Sequence, residues 1–435
     1  MNECPPAQVT DTMQQVVFRR QVQTTLHTIA GMWICSTGFK RLDCCTATMD
    51  RCGDCACGST CADMLTEYGF WDYTTPLAGG MEAFARDDYL LLLDDMAQAG
   101  MNSLMVCVKW GTTGYRSRLP FLDQLPGNPV IESDNALLRE VIEEAGSRGI
   151  KVWLGAVVSI FVADKYGLEP YSVFAQQVVD GGTVRIGVYD SDSPGFAERA
   201  VQIAEELVEL FPGIGGLEVE MEGCGVERPH RIPLYNRWAR ERGRGPFEEL
   251  GHPFDARGFD VPEWRDYATS VRIRVLKAIE EAVRARGFRG DLATIYETGK
   301  SDYSVSQEVN LAEFARECPN WLCVTYEYAK WQMRDAVMDL SVTQPKQHGL
   351  KVFYLPRGVM TWGSPWPLRI ALEDNWRYDI EDIQRYRPDG VWWFGSGGVN
   401  EGAHVSVSRL QSIGYGSGVE ARRALLRQAA ALNPR

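Results

Sequence analysis

The stretch GGLEVEMEGCG, residues 215–225, places Glu218, Glu220 and Glu222 at every second position of an otherwise apolar run. A β-strand alternates its side chains between two faces, so the three carboxylates share one face and the apolar residues between them share the other. An interior strand with one acidic face indicates that this face lines a functional site.

Short β-rich runs alternate with amphipathic helical runs on both sides of this stretch. Strands are predicted at 31–39, 103–110, 151–159, 215–225, 291–298, 321–331, 350–358 and 389–398. Helices are predicted at 86–99, 134–149, 192–211, 261–287, 307–317, 332–347, 372–386 and 418–432. Eight β–α units in series predict an α/β fold, a (β/α)8 TIM barrel with long inserted loops on its catalytic face. An open, doubly wound sheet is the alternative, but no Gly-rich nucleotide fingerprint follows the first strand.

We predict a single barrel domain over residues 1–435, with a Cys-rich inserted loop at about 40–75. In this barrel the acidic face of strand four lines the interior, and Glu222 is nearest the C-terminal rim, where barrel enzymes place their chemistry. Buried carboxylates need compensating groups. A purely structural role for Glu218, paired with Lys109 or Arg357, therefore stays open.

The other predicted strand ends bring acids, cations and aromatic rings to the same rim. These residues are Lys109 and Trp110 on strand two, Tyr296 and Glu297 on strand five, Tyr326, Glu327 and Tyr328 on strand six, Arg357 on strand seven, and Trp392 and Trp393 on strand eight. Glycoside cleavage needs one protonated carboxyl group and one carboxylate. We predict Glu222, Glu327 and Glu220 as catalytic residues, and the remaining rim residues as substrate-binding.

The motif GGLEVEME resembles the strand-four DGxDxDxE motif of chitinase-type barrels, glycoside hydrolase family eighteen. Glu218 and Glu220 stand where that family has Asp, and Glu222 matches its terminal acid. A Glu at the end of strand four also looks like the acid/base of clan A of the retaining glycosidases. GVWWF on strand eight is similar to the Trp-bearing last strand of chitinase-type barrels. The resemblance implies a (β/α)8-barrel glycoside hydrolase.

The sequence departs from those patterns at three places. Gly215 replaces the first Asp of the chitinase-type motif, and Met221 stands where clan A has Asn. The clan A nucleophile belongs on strand seven, which ends here in Arg357. The resemblance therefore supports a superfamily rather than one family.

Two mechanisms remain open. In the first, Glu222 is the general acid and Glu327 the nucleophile, which requires roughly 5–5.5 Å between their carboxyl groups, whereas roughly 6.5–9.5 Å would indicate inversion. In the second, Glu220 steers a substrate N-acetyl group that itself attacks, and Glu222 is the acid. We favour the first, because Tyr326 and Tyr328 flank Glu327. The long insertions favour a pocket and exo action.

Six of the 12 cysteines lie close together, and Cys52-x2-Cys55 has the knuckle spacing of zinc sites. Two or three disulfides in a secreted protein are the alternative. We favour a structural zinc ion, with no cofactor needed for catalysis. The predicted metal ligands are Cys44, Cys52, Cys55, Cys57 and Cys61. The same loop is expected to wall the site, with YGFWDY (68–73) presenting Trp71 and Asp72 to substrate.

Charge and hydropathy limit the partners. The net charge of −13 argues against nucleic acid or an anionic membrane surface. No apolar run reaches the roughly 18 residues that span a bilayer. No signal peptide is visible, so a cytoplasmic location is favoured, or a secreted one if the cysteines form disulfides. We expect a carbohydrate substrate and leave a homo-oligomer open.

Other function classes fit less well. A phosphate-binding isomerase or aldolase barrel gains support from FGSGG (394–398), whose backbone N–H groups suit a phosphate. Strand six, however, has no interior Schiff-base lysine. A metal-dependent amidohydrolase barrel needs a His-x-His motif, which GMWIC in strand one lacks. A non-catalytic carbohydrate-binding barrel remains the other alternative.

Overall fold

The computed structural model describes residues 65–72, 86–108, 115–122, 131–158, 160–162, 172–179, 182–189, 191–221, 231–250, 261–297, 309–326, 334–356, 358, 372–395 and 415–432. The chain divides into two units, Met1–Gly58 and Ser59–Arg435, and all described residues belong to the second. Whether the first unit belongs to the same domain as the second stays a prediction.

Eight parallel strands form a closed barrel. In chain order they are β1 (Glu67–Asp72), β2 (Ser103–Val108), β3 (Lys151–Val157), β7 (Gly216–Glu220), β8 (Asp291–Glu297), β9 (Trp321–Tyr326), β10 (Val352–Tyr354) and β11 (Gly390–Phe394). Around the ring the order is β1-β11-β10-β9-β8-β7-β3-β2, and β1 pairs with both β11 and β2. The prediction of a (β/α)8 TIM barrel is confirmed.

Helices separate the strands along the chain. They are α1 (Arg86–Gln98), α2 (Ile131–Ser147), α3 (Phe196–Leu210), α4 (Arg231–Glu241), α5 (Pro262–Ala285), α6 (Leu311–Glu317), α7 (Arg334–Met338), α8 (Gln344–Gln347), α9 (Leu372–Tyr386) and α10 (Gly418–Gln428). A π-helical turn, Asp339–Thr343, joins α7 to α8. In the described part of the chain, 3-10 turns lie at Pro120–Leu122, Phe247–Glu249 and Ala429–Leu432. Local sequence sets several ends: Asn310 caps α6 through its side chain, and Gly287, with φ 87°, follows α5.

The first barrel strand differs from the sequence prediction. The prediction placed strand one at 31–39, outside the described residues, and put residues 68–73 in a rim loop. In the structure Glu67–Asp72 is the strand that closes the ring between β11 and β2. The rim-loop assignment is therefore wrong, and the cysteine cluster precedes the first barrel strand along the chain instead of following it.

Two connections at the C-terminal end of the barrel carry structure of their own. The β3–α3 connection contains an antiparallel sheet of β4 (Ile160–Val162), β5 (Ser172–Val179) and β6 (Gly182–Tyr189), in the order β4-β6-β5. The β7–α5 connection contains α4 and the turn Phe247–Glu249. The sequence predicted insertions in both places but neither element.

Among the described residues, the buried apolar side chains form one layer inside the barrel, one layer between strands and helices, and a smaller cluster around α4 and α5. The inner layer consists of Trp71, Met105, Cys107, Trp153, Ala293, Ile295, Leu322, Val324, Phe353, Leu355 and Trp392. Large rings fit inside because glycines face them. A Cβ on Gly216 would lie 2.1 Å from the Trp153 ring, and one on Gly390 would lie 2.6 Å from that of Phe353.

A polar network closes the N-terminal end of the barrel. Glu67 pairs with Lys151 at 2.6 Å and accepts hydrogen bonds from Ser103 Oγ and Trp153 Nε1, each at 2.6 Å. Lys151 also pairs with Asp291. Because every group in this network has a partner, the network makes this end of the barrel rigid. The interior is thus closed at its floor, which leaves the C-terminal end for a site. Among the described helices, none is long and apolar enough to cross a membrane.

Candidate active site

β7 directs its acids into the barrel, as strand alternation predicts. Leu217, Val219 and Met221 belong to the apolar layer between strands and helices. Glu218 and Glu220 lie on the other face, 0% and 5% exposed. Two carboxylates therefore enter an interior whose other described residues are mostly apolar or aromatic.

Glu218 is held by neighbours on both sides of β7. Its carboxylate accepts a hydrogen bond from the backbone N–H of Ile295 on β8, at 3.1 Å. On the β3 side, Glu218 Oε2 lies 3.0 Å from the position that a Cβ of Gly155 would take, and Met105 Sδ lies 2.7 Å from it. Gly155 therefore leaves the space that the Glu218 carboxylate and the Met105 side chain share.

Glu220 is the last residue of β7 and marks the C-terminal rim. It pairs with Val157 of β3, and its carbonyl accepts a hydrogen bond from the Val158 N–H at 3.0 Å. The β3–β7 ladder thus holds the Glu220 backbone at the point where the chain leaves the barrel. The Glu220 side chain lies on the same face of β7 as that of Glu218, two residues further along the strand, and is therefore nearer the mouth of the barrel.

An aromatic edge lies across the ring, because β11 is four strands from β7. The Trp71 and Phe394 rings meet edge to face, with centroids 5.4 Å apart. The Gly395 N–H donates to the Trp71 carbonyl at 2.9 Å, and the Phe394 N–H donates to the Pro356 carbonyl at 2.8 Å. Phe394 is half-buried and Trp71 almost fully buried. The described mouth thus has acids on one side and aromatic rings on the other.

The other described site predictions fall at different places. Trp392 lies deeper in the barrel, where its Nε1–H donates to Ser103 Oγ at 2.8 Å. Trp393 belongs to the layer between strands and helices, and its Nε1–H points to the Tyr68 hydroxyl at 3.4 Å. Asp72 is fully buried and accepts a hydrogen bond from the Tyr89 hydroxyl of α1 at 3.1 Å. Asp72 could contact a substrate only by moving out of this buried position beside Tyr89.

The structure gives only the backbone of three further predicted residues. Tyr296 and Glu297 end β8, and Tyr326 ends β9; Tyr296 pairs with Thr325, and Glu297 with Tyr326. Eleven predicted site residues lie outside the described part of the chain and stay predictions: Lys109, Trp110, Glu222, Glu327, Tyr328, Arg357, Cys44, Cys52, Cys55, Cys57 and Cys61. Within the described part, no group of three or more His, Cys, Asp and Glu side chains is arranged to hold a metal ion.

Sequence reasoning missed two features around the mouth. The first is Arg272 of α5, which is 3% exposed and donates to the Ile295 carbonyl at 2.9 Å. The second is the ion pair of Asp192 and Arg231, which joins two rim connections at 2.7 Å. The sequence signal for Arg272 is an arginine among the apolar residues of a helix. The Asp192–Arg231 pair has no such signal, because its two residues are far apart in the sequence and form no local pattern.

Comparison with known proteins identifies the fold. No family model and no curated protein matches the chain. Among solved structures, a β-galactosidase from the psychrophilic Marinomonas ef1 is similar with a TM-score of 0.52 and 13% identity, covering 84% of this chain and 59% of that one. The GH42 β-galactosidase Gan42B is similar with a TM-score of 0.50 and 14% identity, covering 86% of this chain and 58% of that one.

A third similar structure is the catalytic domain of β-amylase from Paenibacillus polymyxa, with a TM-score of 0.49 and 8% identity, covering 76% of this chain and 92% of that one. This chain spans less than two thirds of the two β-galactosidases. Identities this low show the fold alone. They confirm the (β/α)8-barrel fold that the resemblance of strand four implies, and the two β-galactosidases are proteins to which this chain is similar in fold.

Proposed function

We propose that this chain is a glycoside hydrolase that binds a carbohydrate in the mouth of the barrel. The observation that carries the proposal is the inward acid pair of β7, Glu218 and Glu220. Buried carboxylates cost stability relative to apolar side chains of similar volume. A reaction that needs carboxyl groups at this mouth accounts for them, and the aromatic edge opposite suits the apolar face of a sugar.

We assign the general acid to Glu222. In β7, residues 218 and 220 face inward and Met221 packs on the helix side, so the next inward position along the strand is 222. A carboxyl group there would lie one step beyond Glu220, at the entrance. Under the alternative mechanism Glu222 keeps this role, and Glu220 orients an N-acetyl group of the substrate.

The nucleophile is assigned to Glu327, which follows β9. The inward residues of β9 are Leu322 and Val324, so a regular strand would direct position 327 toward the helices. The assignment therefore requires the chain to leave strand geometry after Tyr326. Position 297 of β8 continues the inward series 293 and 295, so Glu297 belongs in the same test.

The test is hydrolysis of a panel of aryl glycosides by the wild type and by Glu222→Gln, Glu327→Gln and Glu297→Gln. General acid catalysis contributes about 10²–10⁴-fold, so Glu222→Gln is expected to lose about that factor in kcat/KM toward phenyl glycosides, whose leaving group must be protonated, while keeping its fold. Loss of the nucleophile should be at least as severe. Glu143→Gln on α2, which changes an exposed acid, is the matched control.

Each outcome has a consequence. Full activity of a variant removes that residue from the mechanism. Azide rescue of Glu327→Gly, with the azide on the opposite anomeric face, would identify the nucleophile. Retention of configuration in the first product, followed by NMR, tests the retaining mechanism, and release of single terminal sugars tests exo action. Turnover of phosphorylated sugars alone would favour the isomerase class, and sugar binding without turnover a non-catalytic barrel.

A further inference from the structure

Three tryptophans lie in the inner layer of the described barrel, and two of them have their indole N–H groups satisfied. Trp153 Nε1–H donates to Glu67 at 2.6 Å, and Trp392 Nε1–H donates to Ser103 Oγ at 2.8 Å. Glu67 and Ser103 both belong to the polar network that closes the N-terminal end of the barrel. The floor of the barrel therefore supplies the acceptor for each of these two rings.

The third tryptophan of this layer, Trp71, differs from the other two. It lies near the C-terminal end of β1, in register with Phe394, the last residue of β11. Its side chain is 2% exposed, and its Nε1 is buried with no hydrogen-bond partner among the described residues. An indole N–H only donates, so what it needs is an acceptor. A buried donor without an acceptor is costly, which sets this ring apart from ordinary core packing.

The contacts of Trp71 place its ring between the aromatic edge and the acids of β7. The Trp71 carbonyl accepts from the Gly395 N–H at 2.9 Å, and its ring meets that of Phe394 edge to face at 5.4 Å. On its other side Trp71 pairs with Met105 of β2. Met105 Sδ in turn is a neighbour of Glu218 Oε2, because both border the space left by the missing Cβ of β3. One packed row thus leads from the indole to the acid strand.

We propose that Trp71 Nε1–H is the hydrogen-bond donor that recognises a hydroxyl group of the terminal sugar, an inference that rests on the proposed function. Because the N–H is buried, only a substituent that projects into the barrel interior reaches it. A hydroxyl oxygen accepts from the indole, while its own O–H donates to a carboxylate of β7. One group thus bonds to both sides of the mouth. The substrate class is a neutral sugar with a free hydroxyl at its innermost position.

Other acceptors fit this place less well. A carboxylate or phosphate on the sugar would accept from the indole, but it would bring another negative charge toward Glu218 and Glu220, and like charges repel. A carbonyl oxygen accepts from the indole and has no proton to donate onward to a carboxylate. A sugar that lacks the hydroxyl leaves the buried N–H unpaired and is rejected for that reason.

The experiment pairs one side chain with one sugar position, on the full chain. Trp71→Phe removes the N–H, and Trp392→Phe is the matched control, because it makes the same substitution in the same layer at an indole that already has a partner. kcat/KM is measured with the phenyl glycoside of the sugar that the wild type cleaves and with its monodeoxy analogues, one for each hydroxyl. The effect of deoxygenation on intrinsic reactivity cancels when two enzymes are compared on one substrate. If Trp71→Phe does not fold, 3-benzothienylalanine at this position keeps the shape of the ring and replaces only the N–H with sulfur.

If the indole binds one hydroxyl, removing that hydroxyl should cost the wild type a factor about fivefold or more larger than it costs Trp71→Phe. At every other position the two enzymes should lose equal factors. Trp392→Phe should follow the wild-type pattern throughout. Equal losses in Trp71→Phe and the wild type at every position would overturn the hydrogen bond but leave the proposed function standing. A wild-type chain that cleaves no glycoside overturns both.

Discussion

Glu218 and Arg272 bind the same residue of β8 from opposite faces of the barrel wall. Inside, the Glu218 carboxylate accepts a hydrogen bond from the Ile295 N–H at 3.1 Å. On the helix side, Arg272 donates to the Ile295 carbonyl at 2.9 Å. The β7–β8 pairing ends one residue earlier, at Val219 and Thr294. Two polar side chains therefore hold β8 at the point where its ladder with β7 stops.

This arrangement predicts a difference between two substitutions of Glu218. Both Glu218→Gln and Glu218→Ala remove the buried charge, but only Gln keeps an oxygen that accepts from Ile295. We expect the free energy of unfolding of the Ala variant to be about 1–3 kcal/mol below that of the Gln variant, because a buried N–H is left unpaired. Urea unfolding measures this difference. Equal stability of the two would show that the hydrogen bond contributes nothing.

Gly155 gives a second prediction, because its missing side chain makes room for Glu218. In Gly155→Ala the new Cβ would lie 2.7 Å from Met105 Sδ and 3.0 Å from Glu218 Oε2. We expect a loss of stability of about 1–3 kcal/mol and a lower kcat, because overpacking shifts the acid strand. Thermal unfolding and the aryl glycoside assay measure both effects.

The matched control is Gly146→Ala. A Cβ on Gly146, in α2, meets nothing within 4 Å, and its backbone is not in the left-handed region. Alanine there should stabilise the chain by about 0.5–1 kcal/mol, through its better helix propensity. A Gly155→Ala variant as stable and active as this control would contradict the tight fit around Glu218.

Two of the three tryptophans in the inner layer, Trp71 and Trp392, are expected to give different phenotypes when substituted. Trp392→Phe removes the hydrogen bond to Ser103, deep in the barrel, and should lower stability by about 1 kcal/mol with KM unchanged. Trp71→Phe alters the aromatic edge beside Phe394 at the mouth and should raise KM for the substrate. Michaelis–Menten kinetics together with urea unfolding separate these effects. A raised KM for Trp392→Phe would place that ring in the site.

Periodicity predicted most of the barrel but not its first strand. Runs 31–39 and 67–72 are both short and β-rich, and local pattern cannot decide which of them closes a ring. Closure depends on contacts distant in the sequence, such as Glu67 with Lys151 and Gly69 beside Ser103. The sequence did not predict helix α4, because Pro233 and several arginines interrupt its apolar pattern. In the structure the helix nevertheless buries Tyr235.

The face on which Glu218 and Glu220 lie was predictable from the sequence, whereas the depth of a strand residue in the barrel was not. Alternation places Glu218 and Glu220 inside, and the structure agrees. The same alternation puts the adjacent residues Trp392 and Trp393 on opposite faces of β11, although both were predicted at the mouth. How far a strand residue lies from the rim depends on the stagger between strands, which no single segment encodes. For this reason Trp392 lies near the floor.

The three cysteines that the structure describes lead to a prediction about the cysteine cluster. Cys107, Cys318 and Cys323 are buried and form no disulfide. Burial raises the pKa of the Cys318 thiol to about 12 and that of Cys323 well above its usual range. Native protein at pH 8 should therefore show these three thiols as unreactive toward a disulfide reagent, since the thiolate is the nucleophile. Alkaline pH should destabilise the fold: the contribution of Cys318 is complete below pH 9.0 and declines as pH rises toward about 12.

Six of the remaining nine cysteines belong to the cluster, so the reactive thiols report mainly on it. If a structural zinc ion is held by ligands from the set Cys44, Cys52, Cys55, Cys57 and Cys61, four of which fill its tetrahedral sites, metal analysis should find about one zinc per chain. Thiol titration of the native protein should then rise when a chelator is added, because metal-bound thiolates are protected until the ion is removed. A triple variant, Cys107→Ala with Cys318→Ala and Cys323→Ala, should give the same native titration as the wild type, since those thiols do not react. Disulfides would instead give no zinc and a thiol count that rises only with reductant, and that result would overturn the zinc assignment.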